Sequence, residues 1–365
     1  PGIGGILIFI PQIAFLFMFI SILEESGYMS RVVFLMDKIM RKFGLSGKSI
    51  VPLISGTACA IPAIMATRNI ENWKERLITI LVTPFTTCSA RLPVYAIIIA
   101  LVIPDERVFG IINMQGLTLM LLYLLGFGMA IFSAYILNTI LKIKGKTYFV
   151  VEMPNYKLPM FKNVAINVIE KTKAFIFGAG KIILAISIVL WFLASYGPGD
   201  KFRNAEKIVL EKNLEKPLNT AELQNAIASQ KLENSYIGLM GKTIEPVISP
   251  LGYDWKIGVA IISSFAAREV FVGTLATIYS VGDSDNDNTI KNKMQAEINP
   301  ETGQKIFNFA SGISLLLFYA FAMQCASTIA ITKKETNSWK WPLGQLIFMS
   351  GLAYVVALIA FQILK

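Results

Sequence analysis

Long stretches of this chain carry almost no charge, and its charged residues fall between them. Windows 3–23, 76–103, 112–141, 174–196, 309–331 and 341–364 are long and apolar enough for helices crossing a bilayer core, which takes about 20 residues each. Two more windows, 50–66 and 256–280, are marginal because small and polar residues interrupt them. The pattern predicts an all-α polytopic membrane protein. Composition agrees, with 54% hydrophobic and 16% charged residues where soluble domains carry about 25% charged.

The pattern also repeats. A shift of 208 residues aligns Tyr28, Gly44, Lys48, Val51, Ile54, Ser55 and Ala58 with Tyr236, Gly252, Lys256, Val259, Ile262, Ser263 and Ala266. Each copy has a long apolar helix, an amphipathic link with a glycine turn, a marginal segment of small residues and a helix bearing one cysteine. This divides the chain into a first repeat over 1–141, a link over 142–173 and a second repeat over 174–365. The first holds broken segment 50–66 and cysteine helix 76–103. The second holds broken segment 256–280, cysteine helix 309–331 and polar insertions at 200–233 and 281–308.

Loop charge indicates how the marginal segments sit. Net charge is +2 over 24–49, +1 over 67–76, +5 over 142–173 and +2 over 332–340, against −1 over 104–111, −1 over 197–255 and −2 over 281–308. If 50–66 and 256–280 dip in and return on the same side, every positive loop becomes cytoplasmic, as loop lysines and arginines favour. The two hairpins then enter from opposite sides. The expected fold is two inverted repeats with broken or re-entrant hairpin segments, a plan that places a transport site near the bilayer midplane. The formal charge of +10 then reads as attraction to the lipid bilayer and not to nucleic acid.

Broken backbone at membrane depth is tolerated where it is buried in protein or lines a watery cavity. In "LISGTACAIPAIMATR" the expected breaker is Pro62, which lacks a helical donor and frees a carbonyl; a Pro-kinked packing helix is the alternative. The three cysteines all fall in interrupted regions: Cys59 in "GTACAIP", Cys88 in "TPFTTCSARLP" and Cys325 in "AFAMQCAST". A single buried cysteine is ordinarily packing. Three beside polar and small residues point to a lined pathway, and a divalent metal displaces a thiol proton to bind the thiolate. Soft sulfur favours transition metals over Mg²⁺. Met323 and Gln324 adjoin Cys325 as weaker ligands.

Ionisable residues at membrane depth are costly and functional suspects. Arg91 lies between Pro84 and Pro93, three residues after Cys88, sharing its face if that stretch is helical and placed to donate to freed carbonyls. Arg268 and Glu269 in "SSFAAREVFVGTL" form either a structural ion pair or a cation site. Glu24 and Glu25 end the first span, either attracting cations at a mouth or simply solvated. The chain has no histidine, which excludes histidine catalysis and zinc fingers. "GLSGKS" at 44–49 imitates the end of a phosphate-binding loop, but the required glycine is Lys42. No catalytic constellation or nucleotide site is present in the sequence pattern, so the expected class is a transporter and not an enzyme.

The segments "LEESGYMSRVVFLMDKIMRKFGLSGKSIVPLISGTACAIPAIMATR", "TPFTTCSARLPVY", "VEMPNYKLP", "PLGYDWKIGVA", "FAAREVFVGTL" and "AMQCAST" closely resemble the membrane domain of the ferrous iron transport protein B family, in the family's order. The resemblance implies import of Fe²⁺ across the prokaryotic inner membrane through gate repeats related to those of nucleoside transporters. It implies an N-terminal GTPase domain in cis, using GTP and Mg²⁺ and absent from this sequence, and a small cytoplasmic iron-transport accessory protein. It also implies an iron path along Cys59, Cys88 and Cys325. This sequence departs at Arg268, where the family commonly has lysine before the glutamate; charge is kept, but geometry is not guaranteed. The alternatives are a gate-fold carrier of an organic solute such as a nucleoside, a carrier of another divalent transition metal, and a structural membrane subunit.

Overall fold

Uninterrupted apolar runs become long helices, and runs carrying proline and small polar residues become paired short ones. The structure, a computed structural model, describes residues 2–108, 112–141, 156–198, 200–213, 220–265, 268, 270–278 and 305–365. The helices of the first half are α1 (Gly2–Glu25), α2 (Tyr28–Met40), α3 (Ile50–Gly56), α4 (Ala60–Ala66), α5 (Trp73–Val82), α6 (Leu92–Val102) and α7 (Met114–Ile140). Next come α8 (Phe161–Phe175), α9 (Lys181–Ser195), α10 (Asp200–Arg203), α11 (Ala205–Asn213) and α12 (Thr220–Glu233). The rest are α13 (Tyr236–Ile248), α14 (Trp255–Ser264), α15 (Val270–Ile278), α16 (Phe309–Phe321), α17 (Ala326–Thr336) and α18 (Lys340–Leu364). A two-residue antiparallel ribbon pairs Arg107–Val108 with Ile112–Asn113.

Among the described residues, four stretches are long and apolar enough to cross a membrane: Trp73–Val102, Met114–Ile140, Phe309–Thr336 and Lys340–Leu364. The first and third are interrupted, α5 from α6 and α16 from α17. The expected helix over 174–196 begins earlier, because α8 continues into α9 through a π-helical turn at Ile176–Gly180. Within the polar insertion at 200–233 the described residues form α10 to α12, while 214–219 lie outside the described residues. Of the insertion at 281–308, residues 281–304 lie outside the described residues.

Positions paired by the 208-residue shift share local backbone features around one turn in each half. α2 and α13 are each 13 residues long, and each runs into a 3₁₀ turn, Arg41–Phe43 and Ser249–Leu251. Gly44 at φ 77° and Gly252 at φ 81° then reverse the chain, in the left-handed region that costs glycine nothing. The closing bonds correspond as well: Leu45 N–H donates to Met40 O at 3.1 Å and Tyr253 N–H to Ile248 O at 3.4 Å.

The described chain forms two compact units that interleave along the sequence. The first comprises Pro1–Ser89, Leu121–Ala185 and Ala326–Met349; the second Ala90–Met120, Ile186–Cys325 and Ser350–Lys365. In the first, Phe17, Ile61, Ile64, Ile80, Phe175 and Ile331 form a buried cluster against which Cys59 packs. In the second, Ile237, Val259 and Ile278 are buried beside Leu190, Leu193 and Trp255, and Tyr253 Oη meets Ser314 Oγ at 2.9 Å, which donates to Ala357 O at 3.0 Å.

Candidate functional site

Each cysteine is the residue immediately before a helical turn. Cys59, extended at φ −157° and ψ 135°, is the N-cap of α4. Cys88 precedes a 3₁₀ turn, Ser89–Arg91, and Cys325 precedes α17. All three are partly buried, and none forms a disulfide among the described residues. The first two are joined through their neighbours, because Ala58 O accepts from Ser89 N–H at 3.3 Å and from Ser89 Oγ at 2.9 Å.

The break before Cys59 differs from expectation. Pro62 lies in the first turn of α4, where its missing N–H has no intrahelical partner to lose, so it frees no carbonyl. The chain leaves the helix at Thr57–Cys59 instead, with Ser55 O accepting from both Ala58 N–H and Cys59 N–H at 3.1 Å. Pro84 does act as a breaker. It follows the end of α5 and cannot serve Ile80 O; the buried Gln345 Nε2 donates there at 3.3 Å and to Leu81 O at 2.8 Å. Pro93 starts α6 and breaks nothing. α7 closes over this turn, since a Cβ on Gly126 would meet Phe85 O and Thr87 Oγ1 at 2.9 Å. Thr87 Oγ1 is buried without a hydrogen-bond partner.

A cavity of about 660 Å³ in the first unit reaches Ser55 and Pro62 at one end and carries Glu24, Lys48, Arg68, Glu170 and Lys171. Glu24 is thus at a vestibule, 3.9 Å from Lys171 Nζ. Glu25 accepts from Asn163 Nδ2 at 2.8 Å instead.

In the second unit, Arg91 and Arg268 converge on the end of α16. Arg91 is fully buried and donates to Ala320 O at 2.9 Å. Arg268 donates to Tyr319 O at 3.3 Å and Ala322 O at 3.0 Å. The last carbonyls of a helix lack intrahelical donors and carry partial negative charge, which two guanidinium groups satisfy. Arg91 therefore does serve freed carbonyls, but on a different broken span from its own. The shared face expected for Cys88 and Arg91 does not form, because Thr87 and Cys88 are not helical. Beyond α16, Met323 and Gln324 are buried in the non-helical link to Cys325, and neither amide atom of Gln324 has a hydrogen bond of ordinary geometry. Glu269 lies outside the described residues.

The sequence reading missed Glu335. Its carboxylate is buried and takes Arg68 through Nε at 3.0 Å and Arg76 through Nη2 at 2.8 Å. In "ITKKETNS" it looks like part of a solvated loop, and no local signal reveals partners more than 250 residues earlier. Among the described residues, no three His, Cys, Asp or Glu side chains cluster to hold a metal ion.

Comparison with known proteins adds to this geometry. A family profile described as Gate, nucleoside recognition, matches residues 6–102 and 176–339. Another, described as the ferrous iron transport protein B C terminus, matches residues 119–171. A protein named Fe(2+) transporter FeoB from Leptospira interrogans is 46% identical over 362 residues, covering 99% of this chain and 49% of that protein. One of the same name from Staphylococcus aureus is 37% identical over 99% of this chain and 47% of its own length. A Porphyromonas gingivalis protein named Fe(2+) transport protein A/Fe(2+) transporter FeoB fusion protein is 38% identical over 99% of this chain and 43% of its own length. The chain spans about half the length of the curated relatives it matches. No solved structure matches it.

Proposed function

Because the chain belongs to the Gate family and aligns almost end to end with about half of each Fe(2+) transporter relative, we propose that it is a permease domain importing ferrous iron across the prokaryotic inner membrane. The observation that carries the mechanism is the common position of the three cysteines, each at the start of a helical turn where backbone is broken. A helix N-terminus favours negative charge, so a thiol there is suited to exchange its proton for a passing divalent metal. A pathway must bind weakly enough to release its ion, and ligands spread along three breaks meet that need better than a closed cluster.

In this reading segments 50–66 and 256–280 are re-entrant, and repeats 1–141 and 174–365, separated by the cytoplasmic link 142–173, are inverted. The shared register of α2 with α13 and of Gly44 with Gly252 supports the repeat. Helices α3 and α4 have seven residues each, about 10 Å, too short to cross. In this reading the ligands the ion meets are Cys88, Cys59 and the vestibule at Glu24 in the first unit, and Met323, Gln324 and Cys325 in the second. Glu269 takes part beside Arg268. The remaining length of the relatives supplies a GTPase domain in cis, and the fused relative supports a small accessory partner.

The test is Fe²⁺ influx into liposomes under anaerobic conditions, read by a trapped chelating dye, with the full protein and its Cys59→Ser, Cys88→Ser and Cys325→Ser variants. Loss of flux in folded variants is the expected result. Equal flux in all four overturns the cysteine path. The family description favours one second reading, a nucleoside carrier; uptake of radiolabelled nucleoside that survives all three serines would establish it instead.

A further inference from the structure

The first unit carries a second space with a different chemistry. Leu81, Phe85, Leu137, Trp341, Gly344, Gln345 and Phe348 line an apolar groove of about 300 Å³, with Lys340 at its edge. Its floor is fixed by the edge-to-face contact of Phe85 with Phe348, 6.3 Å between centroids, and by the Gln345 bonds to α5.

The groove opens where several helix ends meet. Arg76, in the first turns of α5, bonds Glu335 at the end of α17 at 2.8 Å. Lys74 Nζ donates to Asn138 O near the end of α7 at 3.1 Å. Lys333 sits 4.2 Å from the ring of Trp339, which immediately precedes α18. Trp73, Trp339 and Trp341 therefore share one level with Lys74, Lys333 and Lys340, the combination found where helices leave the hydrocarbon for the headgroups. Among the described residues no carboxylate lies within 4.0 Å of Lys340.

We infer that this groove is a binding site for an anionic phospholipid, one acyl chain lying along Leu81, Phe85, Leu137 and Phe348 and the headgroup phosphate meeting Lys340. An apolar groove between helices at membrane depth is filled by hydrocarbon, and a basic residue at its headgroup end selects the charge. The occupant lies against Gln345, the side chain that serves the carbonyl left by Pro84, four residues before Cys88. The site rests on the membrane character of the chain and is independent of its cargo.

The test is native mass spectrometry of the full protein released from nanodiscs holding equal phosphatidylglycerol and phosphatidylcholine. A Cβ on Gly344 or on Gly351 would meet no heavy atom within 4 Å, so leucine fits at both, but only the former lines the groove. Wild type and Gly351→Leu should retain phosphatidylglycerol preferentially. Gly344→Leu should lose the adduct, and Lys340→Gln should cut the preference about fivefold, the weight of one basic residue at an anionic surface. Unchanged adducts in Gly344→Leu, or an unchanged preference in Lys340→Gln, overturn the proposal. So does a Gly344→Leu variant that changes oligomeric state while keeping its lipid, which would make the occupant a second copy of the chain.

Discussion

At the scale of single residues, buried charge is where the chain is most sensitive. Glu335 holds Arg68, whose side chain is 51% exposed, and Arg76, at 23%. Removing one member of a buried ionic group leaves the others uncompensated, at a cost of about 3–5 kcal/mol. Glu335→Gln should therefore lower the thermal unfolding midpoint in detergent far more than Arg68→Gln, since the former unpairs both arginines and the latter leaves Glu335 paired with Arg76. Asp254 gives a pH dependence. It caps α14 by accepting from Ile257 N–H at 2.9 Å, and burial pushes its carboxyl up to about 6, above the ordinary value of about 3.9. The folded chain keeps a proton that the unfolded chain has released, so this contribution is full below about pH 4 and is lost as pH rises through about 6. Between about pH 5 and about pH 7.5 the unfolding midpoint should fall by the equivalent of about 1 kcal/mol. Asp254→Asn, which caps equally well, should flatten that fall. The candidate residues themselves were legible, because cysteine, arginine and glutamine stand out against apolar runs. Their partners were not: Arg91 and Ala320 are 229 positions apart, and periodicity carries no information over that distance.

Among elements, long helices were readable because an apolar run of about 20 residues has few other fates in a bilayer. Breaks were readable only in part. Pro84 and Pro62 look alike in sequence, but one follows a helix and the other opens one, and a proline is disruptive only in the former place. The glycine turns were legible as pattern, and their left-handed φ explains it. Gly44→Ala and Gly252→Ala should each destabilise by about 1 kcal/mol or more, with the added Cβ driven into Asn138 and Phe361 respectively. Chemical denaturation should show both losses. Gln345→Leu should cost about 1–3 kcal/mol by leaving Ile80 and Leu81 carbonyls without that donor. Gly126→Ala should displace the turn at Thr87 and change the rate of maleimide labelling at Cys88 while circular dichroism stays native.

For the whole molecule, hydropathy and loop charge identified a helical membrane protein, whereas the two compact units are assembled from three separate chain segments each. No local pattern announces such interleaving. The vestibule makes a prediction about sidedness. It reaches Ser55 and is edged by Lys48, Arg68 and Lys171, which belong to the lysine-rich loops assigned to the cytoplasm. Ser55→Cys should react with a membrane-impermeant maleimide in inside-out vesicles and stay unlabelled in right-side-out ones. The two arginines at the end of α16 matter at this scale too. Backbone oxygens at a helix C-terminus carry partial negative charge and make a harbour for a bare dication, and Tyr319, Ala320 and Ala322 present three such oxygens together. With guanidinium groups moored there, the harbour is taken. In the permease proposed above, an ion would then be left to softer, briefer hosts, with residence time, not affinity, the quantity that this corner of the fold would control.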